Sequence, residues 1–191
     1  MRIAIYPGSF NPIHRGHVQL ANYLLNEQMA DEVWMVISPH NPLKMSSGLQ
    51  EEHHRYEMTR LAVEGIPGLI PSTIEFSMPK PSYTIDTFQL LHQLHPEHEF
   101  ALMIGSDNAL VFDKWKEYRK LLDSVTIYVY PRRDYSMEEA LQRYPEMKAI
   151  NTPYYDISST QLRHWLKRKE DTGDWLHPAV LEYISNHNLY L

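Results

Sequence analysis

The chain has 191 residues, enough for one domain with a substantial core, and 43% of them are hydrophobic, so a soluble globular protein is expected. The absence of cysteine excludes disulfides, thiolate metal sites and a cysteine nucleophile. A formal net charge of -6 speaks against a basic nucleic-acid-binding face, and no apolar run approaches the roughly 20 residues that span a bilayer, so neither nucleic acid nor membrane is an expected partner.

Met1-Arg2-Ile3 leads directly into a strand-like segment with no signal peptide, which makes the cytoplasm the expected location. The first apolar run, Ile3 to Tyr6, reads as a buried strand. It is followed by Pro7-Gly8-Ser9-Phe10-Asn11-Pro12-Ile13-His14-Arg15-Gly16-His17 and a helical pattern from His17 to Gln28. Gly8 permits close backbone approach, and a loop that ends on a helix N-terminus aims N–H groups at an anion such as phosphate. With a helix start near Ile13, His14 and His17 share one side of the first turn, and Gly16 keeps side-chain bulk away from them. Either imidazole can then donate to a phosphate. Two surface histidines on an ordinary turn are the alternative; the pair behind a Gly-Ser-Phe turn favours a binding site.

The second strand spans Val33 to Ser38 and runs into Pro39-His40-Asn41-Pro42-Leu43-Lys44, too proline-rich for a helix. Its Lys44 either reaches back to a phosphate or is simply solvated. A helix over Gln50 to Glu64 stops at Gly65 and Pro67, a strand over Ile70 to Phe76 follows, and a helix over Thr84 to Leu94 stops before Pro96. After the strand Phe100 to Ile104, Gly105-Ser106-Asp107 places a carboxylate either to accept hydroxyls or to cap a helix. Ala109 to Trp115 carries an apolar stripe, with Trp115 large enough to stay partly exposed and stack on a ring. The strand Val125 to Tyr130 ends at Arg132 and Arg133, and Met137 to Arg143 reads as a helix.

Near the end, Ser158 or Ser159 caps a helix whose first turn carries Arg163. Hydroxyls, helix dipole and guanidinium there make a second anion site, or else a capped surface helix with a solvated arginine. Pro178 to Asn186 reads as a short closing helix. His53 with His54, and His92, His95 and His98, read as surface histidines: neighbours on a helix do not converge, and Pro96 interrupts the second set.

Strands alternating with helices predict an α/β fold, a doubly wound parallel sheet with its ligands beyond the carboxyl ends of the strands. One domain over residues 1–191 is expected, with residues from about 155 onward forming a small helical C-terminal part.

Paired histidines on one helix start and Ser-Ser-Thr-x-x-Arg on another resemble the nucleotidyltransferase superfamily with a His-x-Gly-His motif, here His14-Arg15-Gly16-His17. The narrower resemblance is to the bacterial nicotinate-nucleotide adenylyltransferase family. It covers the Gly8 to His17 motif, the proline-rich loop ending in Lys44, Ser82-Tyr83-Thr84 with Thr87, Ile104-Gly105-Ser106-Asp107 with Phe112, Trp115 and Tyr118, Ile157-Ser158-Ser159-Thr160 with Arg163, and the closing helix. Pro7 stands where that family usually has glycine, and Asn11 where aspartate is commoner.

The resemblance implies a Rossmann-like fold and transfer of the adenylyl group of ATP to nicotinate mononucleotide, giving nicotinate adenine dinucleotide and pyrophosphate, in NAD biosynthesis. It assigns His14, His17 and Arg163 to catalysis. ATP would be bound by these three with Gly8, Ser9, Phe10, Gly105, Asp107, Ser158 and Ser159. The mononucleotide would be bound by Lys44, Tyr83, Thr84, Asp107 and Trp115. Ser158, Ser159 and Arg163 would hold the leaving pyrophosphate at the opposite end of the triphosphate from the histidines, which act as charge stabilisers rather than as a general base. Mg2+ would enter on ATP oxygens and water, with no protein metal ligand. A homo-oligomer is left open. The alternatives are another adenylyl- or cytidylyltransferase, such as phosphopantetheine adenylyltransferase, or a non-catalytic nucleotide-binding module; the intact His14, His17 and Arg163 speak against the last.

Overall fold

Alternate residues of each buried strand go to opposite faces of the sheet, and here both faces are covered. In the computed structural model, which describes residues 1–39 and 48–191, the strands are β1 (Arg2–Gly8), β2 (Glu32–Ile37), β3 (Leu69–Ser72), β4 (Glu99–Gly105), β5 (Thr126–Tyr130) and β6 (Lys148–Ala149). They form one parallel sheet in the order β3-β2-β1-β4-β5-β6. The helices are α1 (Arg15–Asn26), α2 (Glu52–Val63), α3 (Thr84–Leu94), α4 (Ser106–Leu110), α5 (Tyr118–Ser124), α6 (Met137–Arg143), α7 (Ser159–Lys167) and α8 (Pro178–Asn186).

Along β1 and β2, Ala4, Tyr6, Val33, Met35 and Ile37 point into one core, and Ile3, Ile5 and Val36 into the other. The first core is closed by Leu20 and Leu24 of α1, Met58 of α2, Leu162 of α7, and Val180 and Ile184 of α8. The second is closed by Ile85, Phe88 and Leu91 of α3, Ala109 of α4, Leu121 of α5 and Ala140 of α6. The chain is thus a doubly wound α/β sheet of Rossmann-like order, as the alternation of elements implies. Its helices α7 and α8, the part beyond about residue 155, bury their apolar stripes in the same core as β1 and β2. No helix among the described residues is long and apolar enough to cross a membrane.

Several boundaries differ from the sequence reading. α1 begins at Arg15 with His14 as its N-cap, one turn's edge later than a start at Ile13. The run Ile70 to Phe76 is only half strand: β3 ends at Ser72 and Ile74–Ser77 forms a 3-10 turn, which takes Glu75 out of the sheet and turns it inward. α5 and β6 are additional; α5 lies in a charged stretch with little apolar periodicity, and β6 is a two-residue edge strand of Lys and Ala.

Candidate active site

A doubly wound sheet opens where strand order reverses, here between β1 and β4. Their ladder runs from Arg2–Glu99 only to Ile5–Leu102, after which both strands continue and separate. Gly8 turns its carbonyl toward β2, where it accepts the Ser38 N–H, so the nitrogen of neighbouring Pro7 faces the opened β4 side. Proline therefore replaces the family's glycine there without losing a ladder hydrogen bond. Into the gap opens a cleft of about 340 Å3.

Gly8, Ser9, Phe10, His14 and His17 line one wall. The Phe10 ring lies directly over Gly8, where an added Cβ would stand 2.8 Å from it. Close approach at Gly8 therefore admits the Phe10 ring, while Gly8 itself remains in the cleft lining. Phe10 is buried and meets His17 edge-on at 5.2 Å, so it props that ring. His14 and His17 stack with centroids 3.6 Å apart, and the His14 backbone N–H donates to His17 Nδ1 at 3.1 Å. With Nδ1 accepting, the proton of neutral His17 sits on Nε2. At Gly16 a Cβ would come within 2.9 Å of the His14 ring, so only glycine lets His14 fold back beside His17. The first N–H of α1, that of Arg15, is taken by the Trp175 carbonyl at 2.8 Å, so fewer helix-terminal donors face the cleft than the loop suggests.

His14 is 5% exposed, and its Nδ1 is buried without a hydrogen-bond partner among the described residues. Burial, together with the positive charge of Arg132, lowers its pKa to about 3. The ring is therefore a neutral hydrogen-bonding group at pH 7, not a cation, and the positive charge of this end comes from Arg132 and Arg163, both on the cleft wall.

Ser158, Ser159 and Arg163 also reach the cleft. Ser158 is the N-cap of α7: its hydroxyl accepts the Gln161 N–H at 3.2 Å, and Gln161 Oε1 accepts the Ser158 N–H at 3.0 Å. Ser159 donates to the Pro12 carbonyl at 2.9 Å, and Arg163 donates to the Asn11 carbonyl at 2.9 Å. The two motifs are thus stitched to each other side by side. Asn11 explains its own departure from aspartate: its amide donates to the Gly48 carbonyl while its oxygen accepts from Gln50 N–H and Tyr190 OH. A carboxylate cannot make the first of these bonds. Behind this loop the fully buried Arg55 donates to the carbonyls of Ser9, Ser38 and Gln50. Burial lowers its pKa, yet the guanidinium stays charged in the physiological range.

The far wall carries Tyr83, Thr84 and Trp115. Tyr83 is the N-cap residue of α3, and Thr84, the first residue of that helix, lines the cleft. The indole Nε1 of Trp115 is buried without a partner among the described residues. Beneath them Glu75 is buried and accepts from Ser82 at 2.9 Å and Thr87 at 2.7 Å; burial raises its pKa against the opposing pull of those two bonds. Lys116 sits over the Tyr83 ring at 5.1 Å and pairs with Asp86 at 2.9 Å.

Between the walls Asp107 lines the cleft with Oδ1 buried and without a hydrogen-bond partner among the described residues. Gly105 stands behind it and is not part of the wall. Tyr6 and Tyr130 form the floor; burial raises both phenols, Tyr130 to about 12 with help from Asp107, so both stay neutral. Lys44 lies outside the described residues. Arg132, Tyr130 and Glu75 are among the lining residues that sequence reasoning did not assign. For Arg132 the signal was its place just past the end of β5; for Glu75 it was a carboxylate inside an apolar run. Arg133, its neighbour, instead pairs with Asp156 at the surface.

The other histidines do not behave as isolated surface groups. Glu51, His53 and His54 bring ligand atoms within 4.8 Å of one another, and so do His95, Glu97 and His98. At the first of these places two helix neighbours do come together, His53 and His54 having ring centroids 3.9 Å apart, and His53 stays exposed. In the cleft itself the donor set fits a metal that arrives on a triphosphate: of its two carboxylates, Glu75 is engaged by hydroxyls, which leaves Asp107, too few oxygens for a protein cage.

The family profile described as Cytidylyltransferase-like matches residues 5–165. A protein of Flavobacterium johnsoniae described as "Probable nicotinate-nucleotide adenylyltransferase" is 41% identical over 191 residues, covering 100% of this chain and 99% of its own length. A protein of Bacteroides fragilis with the same description is 44% identical over 183 residues, 96% of this chain and 90% of its own. Among solved structures, the Plasmodium falciparum nicotinic acid mononucleotide adenylyltransferase complexed with APC is 28% identical with a TM-score of 0.84, covering 99% of this chain and 96% of that one. The same enzyme complexed with NaAD gives a TM-score of 0.83. With a cleft at the strand-order reversal walled by His14, His17 and Arg163, and with relatives matched end to end, the chain belongs to the cytidylyltransferase-like superfamily and, within it, to the nicotinate-nucleotide adenylyltransferase family.

Proposed function

We propose that this chain transfers the adenylyl group of ATP to nicotinate mononucleotide, forming nicotinate adenine dinucleotide and pyrophosphate in NAD biosynthesis. The observation that carries the reading is the polarity of one cleft: His14, His17, Arg132 and Arg163 at one wall, aromatic Tyr83 and Trp115 with the first turn of α3 at the other. A substrate with phosphates at one end and a ring bearing a carboxylate at the other matches that division.

A 5'-phosphate oxygen of the mononucleotide forms a bond to the α-phosphorus of ATP while the bond from that phosphorus to the bridging oxygen breaks, and pyrophosphate leaves with the electron pair. A phosphate monoester with a second pKa near about 6 is already mostly dianionic at neutral pH, so no enzymic base is required. The protein's work is alignment and stabilisation of charge. His17, held by the His14 N–H and propped by Phe10, presents Nε2–H toward the transferring phosphate. Neutral His14 adds a hydrogen bond, Arg132 and Arg163 supply positive charge to the triphosphate, and Ser158 and Ser159 shape the helix start beside it. Asp107 Oδ1 accepts ribose hydroxyls. The N–H groups at Thr84 and the Trp115 indole N–H hold the nicotinate carboxylate.

Adenylyl transfer in this family uses ATP with a divalent metal; here we assign Mg2+, carried on ATP oxygens and water and supplying charge neutralisation of the leaving group. We place the enzyme in the cytoplasm, where ATP is available. The test is pyrophosphate release from MgATP with nicotinate mononucleotide, nicotinamide mononucleotide or phosphopantetheine as acceptor. Release with the nicotinate acceptor is expected; its absence with both pyridine mononucleotides would overturn the reading.

A further inference from the structure

A second imidazole cluster lies where α2 meets α8, and adenylyl transfer leaves it unused. His53 and His54 have ring centroids 3.9 Å apart, and Glu51, at the N-cap of α2, brings a carboxylate oxygen to 3.4 Å from His53 Nδ1. From α8, Tyr183 OH lies 2.8 Å from His54 Nδ1, and the Tyr183 carbonyl lies 2.9 Å from His187 Nδ1. A carbonyl only accepts, so neutral His187 carries its proton on Nδ1 and offers Nε2 as a lone pair. The His187 ring stands 5.3 Å from that of His54.

From this arrangement we infer that the α2–α8 seam binds a divalent transition metal of the zinc class, ligated by Glu51, His53 and His54 with His187 as a further donor. Imidazole nitrogens with one carboxylate suit Zn2+ and its neighbours and suit Mg2+ poorly. Metal-bound histidines usually have their second ring nitrogen held by an outer partner, and Tyr183 does this for both His54 and His187, with its hydroxyl and its carbonyl respectively. The side chain of His53 is 62% exposed, which gives the ion an entry path. The group His95, Glu97 and His98 likewise comes from one short stretch, whereas the group of Glu51, His53 and His54 has His187, at the end of α8, beside it.

The seam also braces the cleft from behind. Arg55, next to His54, holds the Ser9 carbonyl, and Tyr190, three residues beyond His187, donates to Asn11. A metal that pins α2 to α8 fixes both supports of the first motif.

Zn2+ titrated calorimetrically into chelator-stripped, tag-free full chain tests the site. Expected are one saturable Zn2+ per chain and a rise in Tm of about 5 °C at hundredfold excess over Kd. His53→Gln and His54→Gln should each weaken binding by more than about tenfold, as should Tyr183→Phe by about tenfold through the outer shell. His53 is exposed, so His53→Gln keeps the fold; His95→Gln should leave binding unchanged. Absence of a saturable site, several weak sites, unchanged affinity in both histidine variants, or loss in His95→Gln would each overturn the assignment.

Discussion

His14 with His17, and His53 with His54, are two imidazole pairs of similar ring separation, 3.6 and 3.9 Å, in opposite surroundings. The first pair lines a cleft, with His14 buried near Arg132 and the guanidinium of Arg163 reaching the same wall. The second lies at a helix seam beside the Glu51 carboxylate, with a tyrosine fixing the next ring. Two close imidazoles thus have no chemistry of their own; cationic neighbours and burial suit the first pair to an anion, whereas a carboxylate and solvent access suit the second to a cation.

That contrast is open to direct attack. The largest effect is expected at His17: His17→Ala should lower kcat for adenylyl transfer about a thousandfold with circular dichroism unchanged, and near-native turnover would remove His17 from the phosphate. Next comes acid stability. Folded His14 stays unprotonated down to about pH 3, whereas the unfolded ring protonates near 6.5, so the unfolded state binds more protons between these values. Stability present above pH 6.5 should therefore fall by about 1.4 kcal/mol per unit as pH drops through that window. His14→Asn should flatten the difference in urea unfolding, in which the opposing contribution of Glu75 cancels. A His14→Asn profile parallel to the native one would contradict the buried neutral ring.

A smaller change is expected at Arg163. Arg163→Ala should raise KM for ATP about tenfold, since it loses a charge-assisted contact and unties the Asn11 carbonyl, while KM for the mononucleotide changes little. An unchanged ATP dependence would leave Arg163 a purely structural tie. The smallest is at the surface pair: His53→Gln should keep kcat and KM within about twofold in chelator-treated enzyme, and a loss of turnover there would erase the distinction between the two pairs.

The sheet was legible because its strands are short apolar runs punctuated by Gly and Pro, and the His14–His17 and Ser158–Arg163 motifs announce themselves by spacing. What spacing did not carry was which groups satisfy one another within the protein. Phe10 fills the room above Gly8, Ser159 and Arg163 hold the backbone of the first motif, and Trp175 occupies the first donor of α1. Each is a contact between residues far apart in sequence, visible only once the chain has folded. Arg55 is the extreme case, an arginine in a charged helical stretch whose three carbonyl partners lie on the loops beside the cleft. Glu75 was hidden for a different reason: it sits where the apolar run leaves the sheet and turns into a 3-10 helix.

The ties from Trp175 to Arg15, Arg163 to Asn11 and Tyr190 to Asn11 link the two extremes of the sequence, the last across 179 positions. The order of synthesis and the order of assembly are therefore opposed. The first motif is made before residues 163, 175 and 190, and its loop gains its final supports only once these follow. Until then the Asn11 side chain and carbonyl lack these protein partners, so the first motif reaches its supported form only through contacts of high sequence separation.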